Sequence, residues 1–301
     1  MMDNKPKPLK DNLQIQATGA TDPGRIREQN EDSYFLSINQ GLFLVSDGMG
    51  GQQAGELASG IVAKALPLQL GAIFALSPES DEKKAETALR QAIANLNDLL
   101  RNKTLGDQAL QGTGATLALC LVINNLALLS HLGDSRIYLF RKGMLERLTE
   151  DHTVAGLMLQ LGQITPCEAR RHPARNILTR HLGMENLPEI EIARLDLLPG
   201  DRILICTDGL TSMASDREIA RILAGVRNLK SACNRLIAAA NKAGGKDNIT
   251  VVIVEVLREG KEPIRKSKRI RVRRKVGYSL NPALPTEDKN EQEREHEDGD
   301  D

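Results

Sequence analysis

Aromatic side chains are scarce. They make up 2% of the chain, with no Trp, three Tyr and four Phe. A stacking platform for single-stranded nucleic acid is excluded by that count, and the core has to be built from Leu, Ile, Val and Ala. Charge of one sign is also lacking: 40 Lys and Arg balance 40 Asp and Glu. The chain as a whole is therefore neither a basic nucleic-acid binder nor an acidic solvating protein. Cysteine is sparse and scattered. Cys120, Cys167, Cys206 and Cys233 form no C-x-x-C and have no paired His nearby, which argues against structural zinc. All but Cys167 lie in apolar runs, as expected of buried free thiols in a reducing compartment. The opening MMDNKPKPLKDN has no apolar stretch of the kind a signal peptide carries, and the expectation is a cytoplasmic protein.

Familiar catalytic signatures are missing too. There is no G-x-S-x-G and no H-E-x-x-H. Gly244-Gly245-Lys246 lacks the first Gly of a P-loop and runs into Asp247, and Gly112-Thr113-Gly114 lacks the third Gly of a dinucleotide fingerprint. Residues 108–133 carry no charged side chain other than His131, a length that spans a bilayer. Asn124-Asn125 sits in the middle of that stretch, so a β-hairpin is expected there and no membrane span. His131, at a strand end, reads as a packed, hydrogen-bonded histidine rather than a ligand.

What remains is a globular composition, 41% hydrophobic and 27% charged over 301 residues. The composition shifts near Arg258, so residues 13–258 are expected to form the folded domain and 259–301 a charged, disordered tail. Residues 261–275 carry nine Lys or Arg against Glu262, and 287–301 carry nine acids against Lys289 and Arg294. The basic block suits an anionic surface, whether lipid, nucleic acid or the acidic end of its own chain. Apolar residues at helical spacing run from Ala54 to Leu66 and from Ala85 to Leu100. A second helix pair follows late. Ser215 and Glu218 read as a capping box before Ile219, Ile222 and Leu223, and the run Leu229 to Ala240 is stopped by Gly244-Gly245. Strand-like runs cover 41–46, 116–123, 126–132, 136–140, 202–207 and 249–256. Strands grouped in sequence between helix pairs favour an α+β fold with antiparallel sheets over regular βαβ alternation.

The placement of acids is the informative feature. Asp47 ends the run FLVSDG and Asp208 ends ILICTDG. Asp134 follows LLSHLG, Asp247 immediately precedes NITVVIVEV, and Glu31-Asp32 precede SYFLSI. A single Asp-Gly after a strand is ordinarily a turn. Two matched strand-Asp-Gly units, with a G-D-S and a K-D-N, ask for more. If these strands are neighbours, the carboxylates converge and repel unless a cation neutralises them. Oxygen ligands without His or Cys suit Mg²⁺, Mn²⁺ or Ca²⁺ rather than Zn²⁺.

Seven motifs in order complete the pattern: GRIREQNED (24–32), VSDGMGG (45–51), GTGATL (112–117), GDSRIY (133–138), LTEDHT (148–153), PGDRILICTDGLT (199–211) and KDNITVVIV (246–254). Together they resemble the metal-dependent Ser/Thr protein phosphatase family, also called protein phosphatase 2C, in its bacterial form. The resemblance implies an αββα sandwich, two antiparallel sheets flanked by antiparallel helix pairs. It also implies a two-metal centre of Mn²⁺ or Mg²⁺, with a third, weaker ion. By motif match Asp47 would bridge two ions, the Gly48 carbonyl would bind one, and Asp208 and Asp247 would hold the other. Glu31 and Asp32 would reach waters on the ions, Asn248 would support the ligands from behind, and Asp134 with Asp208 would hold the third ion. Arg27 matches the family's phosphate-binding Arg. The implied activity is hydrolysis of phosphoserine and phosphothreonine in proteins by a metal-activated water, with a cognate Ser/Thr kinase among the substrates. The alternative is a catalytically weak relative that binds phosphoproteins as a scaffold. Met49 stands where eukaryotic members carry a His, so the resemblance leaves the general acid unassigned. Residues 151–183 match the family's mobile flap, and Arg170, Arg171, His172, Arg175 and Arg180 make it basic enough to steer phosphorylated substrates.

Overall fold

The strands with the longest apolar runs are buried on both faces, and the alternation of their side chains builds three core layers. In the computed structural model, which describes residues 13–50, 52–76, 82–104, 110, 112–187 and 189–257, β3 (Leu42–Met49) shows the rule. Leu42 and Leu44 face one layer, while Phe43 and Val45 face another. β5 (Leu117–Ile123) and β6 (Leu126–Leu132) divide their residues in the same way. Period-2 alternation thus appears in the sequence as unbroken apolar runs, because both faces are covered.

One sheet has the order β2-β3-β5-β6-β9, with β2 at Asp32–Ser37 and β9 at Ala193–Asp196; β4 (Gly114–Ala115) pairs with the end of β3. The other has the order β1-β11-β10-β7-β8, with β1 at Ile15–Asp22, β7 at Arg136–Arg141, β8 at Met144–Arg147, β10 at Arg202–Cys206 and β11 at Ile249–Val256. Every strand pairing is antiparallel among the described residues. Helices α1 (Gln52–Leu76) and α2 (Glu82–Thr104) cover the outer face of the first sheet through Ala58, Val62, Leu66, Leu89, Ile93 and Leu96. Helices α6 (Asp216–Gly225) and α7 (Leu229–Lys242) cover the second through Ile219, Leu223, Leu236 and Ala240. Between the sheets lies an apolar layer of Phe43, Val45, Cys120, Ile203, Ile205, Val252 and Val254. The architecture is the expected α+β sandwich with the order helix pair, sheet, sheet, helix pair.

Several local expectations change. The apolar pattern breaks after Leu66, yet α1 continues through Pro67 to Leu76; buried Leu70 shows that packing offsets the hydrogen bond a mid-helix proline removes. Ser215 caps α6 by accepting from the Glu218 amide, but Glu218 pairs with Arg221 at 3.5 Å, so only half of the capping box is made. A full box occurs instead at Thr165 and Glu168, opening the short α4 (Pro166–Ala169). Together with α3 (Val154–Gln160) it gives the segment 151–183 helical turns that its weak apolar pattern did not announce. The hairpin at Asn124-Asn125 is as expected: Ile123 pairs with Leu126, and Asn124 turns at φ 54°. Among the described residues no helix is long and apolar enough to cross a membrane. The tail, with its basic and acidic blocks, lies outside the described residues.

The layer between the sheets should dominate stability. Phe43→Ala, at a fully buried site, is expected to cost about 3–5 kcal/mol in urea denaturation. Leu68→Ala on α1, where the side chain is 75% exposed, should stay within about 0.5 kcal/mol of wild type. Equal effects would contradict the layering.

Candidate metal centre

The same alternation that builds the inter-sheet layer carries acids to its end. Phe43 and Val45 point between the sheets, and two residues on Asp47 continues that face. Asp32, the first residue of β2, is paired directly with Asp47, an arrangement in which like charges destabilise a sheet. On the opposite sheet Ile203 and Ile205 point inward, and Thr207 follows in step. Its hydroxyl donates to Asp32 Oδ2 at 2.8 Å, tying the two sheets together at this end. Thr207 also accepts from the Thr250 amide at 3.0 Å. Asp208 opens α5 (Asp208–Thr211) just past β10, and Asp247 lies just before β11. Asp134 sits in the turn between β6 and β7.

These acids act on one another. Burial pushes Asp32 up to about 7, against hydrogen bonds from Thr250 and Thr207 and with Asp208 and Asp247 adding to the rise. Asp47 is held well above the carboxylate range by burial and by Asp32, Asp208, Asp134 and Asp247 together. Burial and Asp247 raise Asp208 to about 6, while Arg136 pulls it down. Burial, Asp208 and Asp151 raise Asp134, again opposed by Arg136. Glu31 is raised by burial and Asp247 and lowered by Arg27. The structure therefore gathers Glu31, Asp32, Asp47, Asp134, Asp208 and Asp247 into one electrostatic cluster.

Three observations bear on whether this cluster suits a cation. Six buried side-chain polar atoms have no hydrogen-bond partner among the described residues, and three are carboxylate oxygens of this cluster: Glu31 Oε1, Asp32 Oδ1 and Asp208 Oδ1. Orphaned buried acceptors are rare in proteins, and an ion is one way to satisfy them. The backbone is also packed for close approach. A Cβ on Gly48 would stand 1.9 Å from the Gly55 carbonyl oxygen, and one on Gly55 would stand 2.8 Å from Glu31 Oε1. Against this, among the described residues no group of three or more His, Cys, Asp or Glu side chains is placed to hold one ion by itself. That matches a hard cation held by one or two carboxylates, with carbonyl and water oxygens completing its shell, as Mg²⁺ prefers.

A hydrogen-bonded scaffold holds the cluster, and of its members the motifs pointed only to Asn248 and Arg27. Thr116 Oγ1 accepts from the Asp47 amide at 2.9 Å and meets Ser135 Oγ at 2.7 Å, linking the Asp47 and Asp134 loops. Arg136 is held in a fork by Asp151, at 2.8 and 2.7 Å. Asn248 accepts from the Glu31 amide at 2.9 Å and donates to the Pro23 and Gln29 carbonyls at 3.0 and 2.9 Å, so it fixes the loop that carries Arg27 and Glu31. Arg27 Nη2 donates to Asp247 Oδ2 at 3.0 Å, which places it beside the acids. Of the flap cations, Arg180 pairs with Glu191 at 3.0 Å, and the cations acting most on the acids are Arg27 and Arg136. His131 is a packed histidine, as read from sequence. It bonds the Glu150 carbonyl at 2.7 Å and stacks on His152 with ring centroids 4.2 Å apart. Cys120, Cys206 and Cys233 are buried free thiols; burial pushes each up to about 12, which leaves no nucleophilic thiolate among them.

Comparison with known proteins agrees with this geometry. Residues 25–249 match the model of the family described as protein phosphatase 2C. The chain is 36% identical over 238 residues to the serine/threonine phosphatase Stp of Listeria monocytogenes, covering 78% of this chain and 93% of that protein. It superposes on the Streptococcus agalactiae serine/threonine phosphatase with a TM-score of 0.73 at 32% identity, over 80% of this chain and 99% of that one. The catalytic domain of the phosphatase PstP, solved with two manganese ions, matches with a TM-score of 0.67 at 31% identity, over 81% of this chain and 99% of that one. The chain belongs to the protein phosphatase 2C family and is a protein-serine/threonine phosphatase of the bacterial type.

Proposed function

We propose that the acidic end of the sandwich is the catalytic centre and that it holds two Mn²⁺ or Mg²⁺ ions, with a weaker third beside Asp134 and Asp208. The observation that carries this reading is the meeting of carboxylates from both sheets with buried oxygens that nothing else satisfies. Asp47 and the Gly48 carbonyl, with Asp208 and Asp247, would ligate the main pair; Glu31 and Asp32 would hold the surrounding waters. Such ions, when bound, neutralise developing phosphoryl charge and make water acidic enough to attack phosphorus.

The chain's own groups do the rest. Arg27 presents a planar fork suited to two phosphoryl oxygens. Asp247 orients that fork through its 3.0 Å bond, and Asn248 holds the loop bearing it. Thr207 keeps Asp32 fixed by donating to one of its oxygens. Met49 has no proton to give, so protonation of the leaving Ser or Thr oxygen falls to another group. Phosphorylated Ser/Thr proteins, a cognate kinase among them, are the substrates. A cytoplasmic setting is supported by the buried free thiols.

Metal binding should appear in stability as well as in turnover. Mn²⁺ at about 100 times its Kd is expected to raise Tm by roughly 5–10 °C, with EDTA reversing the rise. Asp47→Asn or Asp208→Asn should leave the metal-free protein at least as stable, since each removes a carboxyl group whose ionised form burial and its acidic neighbours disfavour, yet abolish most of that rise. Phosphopeptide turnover should fall by at least about 100-fold. Full activity in EDTA, or an undiminished Mn²⁺ shift in both variants, contradicts the centre.

Arg27→Lys keeps the charge and loses the fork. A drop in kcat/KM of about tenfold or more is expected, the worth of a charge-assisted hydrogen bond, on p-nitrophenyl phosphate and on phosphopeptides alike. Wild-type kinetics in this variant would assign the phosphate to a different cation.

A further inference from the structure

Behind the loop that carries Arg27 lies an open cleft of about 540 Å³, between the end of β1 and α7. Thr21, Asp22, Arg25, Asn234, Asn241 and Lys242 form its polar walls, and Ile237 lies in its floor. Arg25 and Lys242 are exposed, and neither belongs to any ion pair among the described residues. Asp22 is the one acid of the cleft. Its Oδ1 already accepts from the Gly24 amide at 2.9 Å and from Asn241 Nδ2 at 3.0 Å, which spends part of its accepting capacity on the wall itself. The cleft therefore offers two unpaired cations against one partly engaged carboxylate.

Its position relative to the acidic centre is fixed by backbone contacts. The Arg25 amide donates to the Gly245 carbonyl at 2.7 Å. Gly24, at φ +83°, packs so closely that a Cβ there would lie 2.3 Å from the Asp247 carbonyl oxygen. Asn248 Nδ2 bonds the Pro23 carbonyl at 3.0 Å. The segments 22–27 and 241–248 are thus one packed unit, with Arg27 and Asp247 on its catalytic side and Arg25 and Lys242 in the cleft. Ile26 stands between the two arginines with 69% of its surface exposed, a large apolar side chain at the rim. Arg25 and Arg27 lie about 7 Å apart at most along the chain, the span of two residues of an extended peptide.

We propose that this cleft is the docking subsite for residues flanking the phosphorylated Ser or Thr of a substrate, and that it selects acidic side chains. The inference rests on the catalytic reading above, because it needs the phosphoryl group at Arg27. With the phosphate there, a neighbouring apolar residue lies on Ile26. An Asp or Glu two or three positions away reaches Arg25 and Lys242, where ion pairs at an open surface are individually weak and salt-sensitive.

The test uses the full chain and three substrates: p-nitrophenyl phosphate, a phosphothreonine peptide with Glu at the flanking positions, and the same peptide with Gln there. Wild type should prefer the Glu peptide by about fivefold in kcat/KM at low salt, and high salt should erase the preference. Lys242→Gln and Arg25→Gln/Lys242→Gln should remove the preference, mainly through KM, with the Gln peptide far less affected. A preference that survives the double variant, or a wild type that favours the Gln peptide, overturns the assignment. Fluorescence anisotropy with the two peptides carrying a phosphonate in place of the phosphate gives a readout independent of turnover. If the protein hydrolyses none of the substrates, the catalytic reading fails. The cleft is then still judged by whether the Glu phosphonate peptide binds wild type more tightly than the double variant.

Discussion

Carboxylates from two different sheets repel one another across the open end of the sandwich, and the architecture is arranged so that this repulsion is borne rather than relaxed. Asp32 and Asp47 face each other in register on one sheet, and Asp208 approaches from the other. An isolated hairpin would respond by slipping or fraying. Here β3 is buried on both faces, so a slip against it would carry a whole set of apolar side chains out of their layers. The energy that keeps the acids together is therefore supplied at a distance, by Phe43, Val45, Ile203, Ile205 and their neighbours. Close to the acids the counterweight is small: Arg27 on Asp247, Arg136, itself forked on Asp151, and the Thr207 hydroxyl on Asp32.

Much of this was legible in the sequence, and the reason is local. The central strands announce themselves because burial on both faces leaves an unbroken apolar run, and an Asp-Gly at the end of such a run stands out from ordinary turns. Asp47 and Asp208 stand out that way, and Asp247 by its place just before such a run. The edge strands β8 and β9 could not, since their residues are largely exposed and pair for reasons that lie in the neighbouring strand. Thr116, Ser135 and Thr207 lie within motifs, but nothing local gives them a partner. Each is a small polar residue whose role appears only when a segment far away in the chain arrives beside it, as Asp32 arrives beside Thr207 across 175 positions. Arg136 too lies within a motif, but nothing local tells that Asp151 will hold it.

The half-made capping box at Ser215 and the complete one at Thr165 make the same point at short range. Both carry the Ser/Thr-x-x-Glu pattern, so the pattern alone does not decide. At α6 the Glu218 side chain has a competing cation, Arg221, one turn on. At α4 no such competitor is paired with Glu168, and it returns to the Thr165 amide. A motif specifies a set of available bonds, and the neighbours choose among them.

Asn248 is the point where these arguments meet. It lies one residue after Asp247 and one before β11, so the strand that holds the sheets together also sets its position. The three hydrogen bonds of its side chain go to Pro23, Gln29 and Glu31. They close the loop on both sides of Arg27, and that loop forms one wall of the cleft as well as one side of the acidic centre. Through these bonds one side chain ties together the loop that bears Arg27 on its acidic side and Arg25 on its cleft side. In the proposed reading, selection of a substrate's flanking residues and orientation of its phosphate draw on one packed unit, held by an Asn248 side-chain amide that is satisfied on both its donor and acceptor sides.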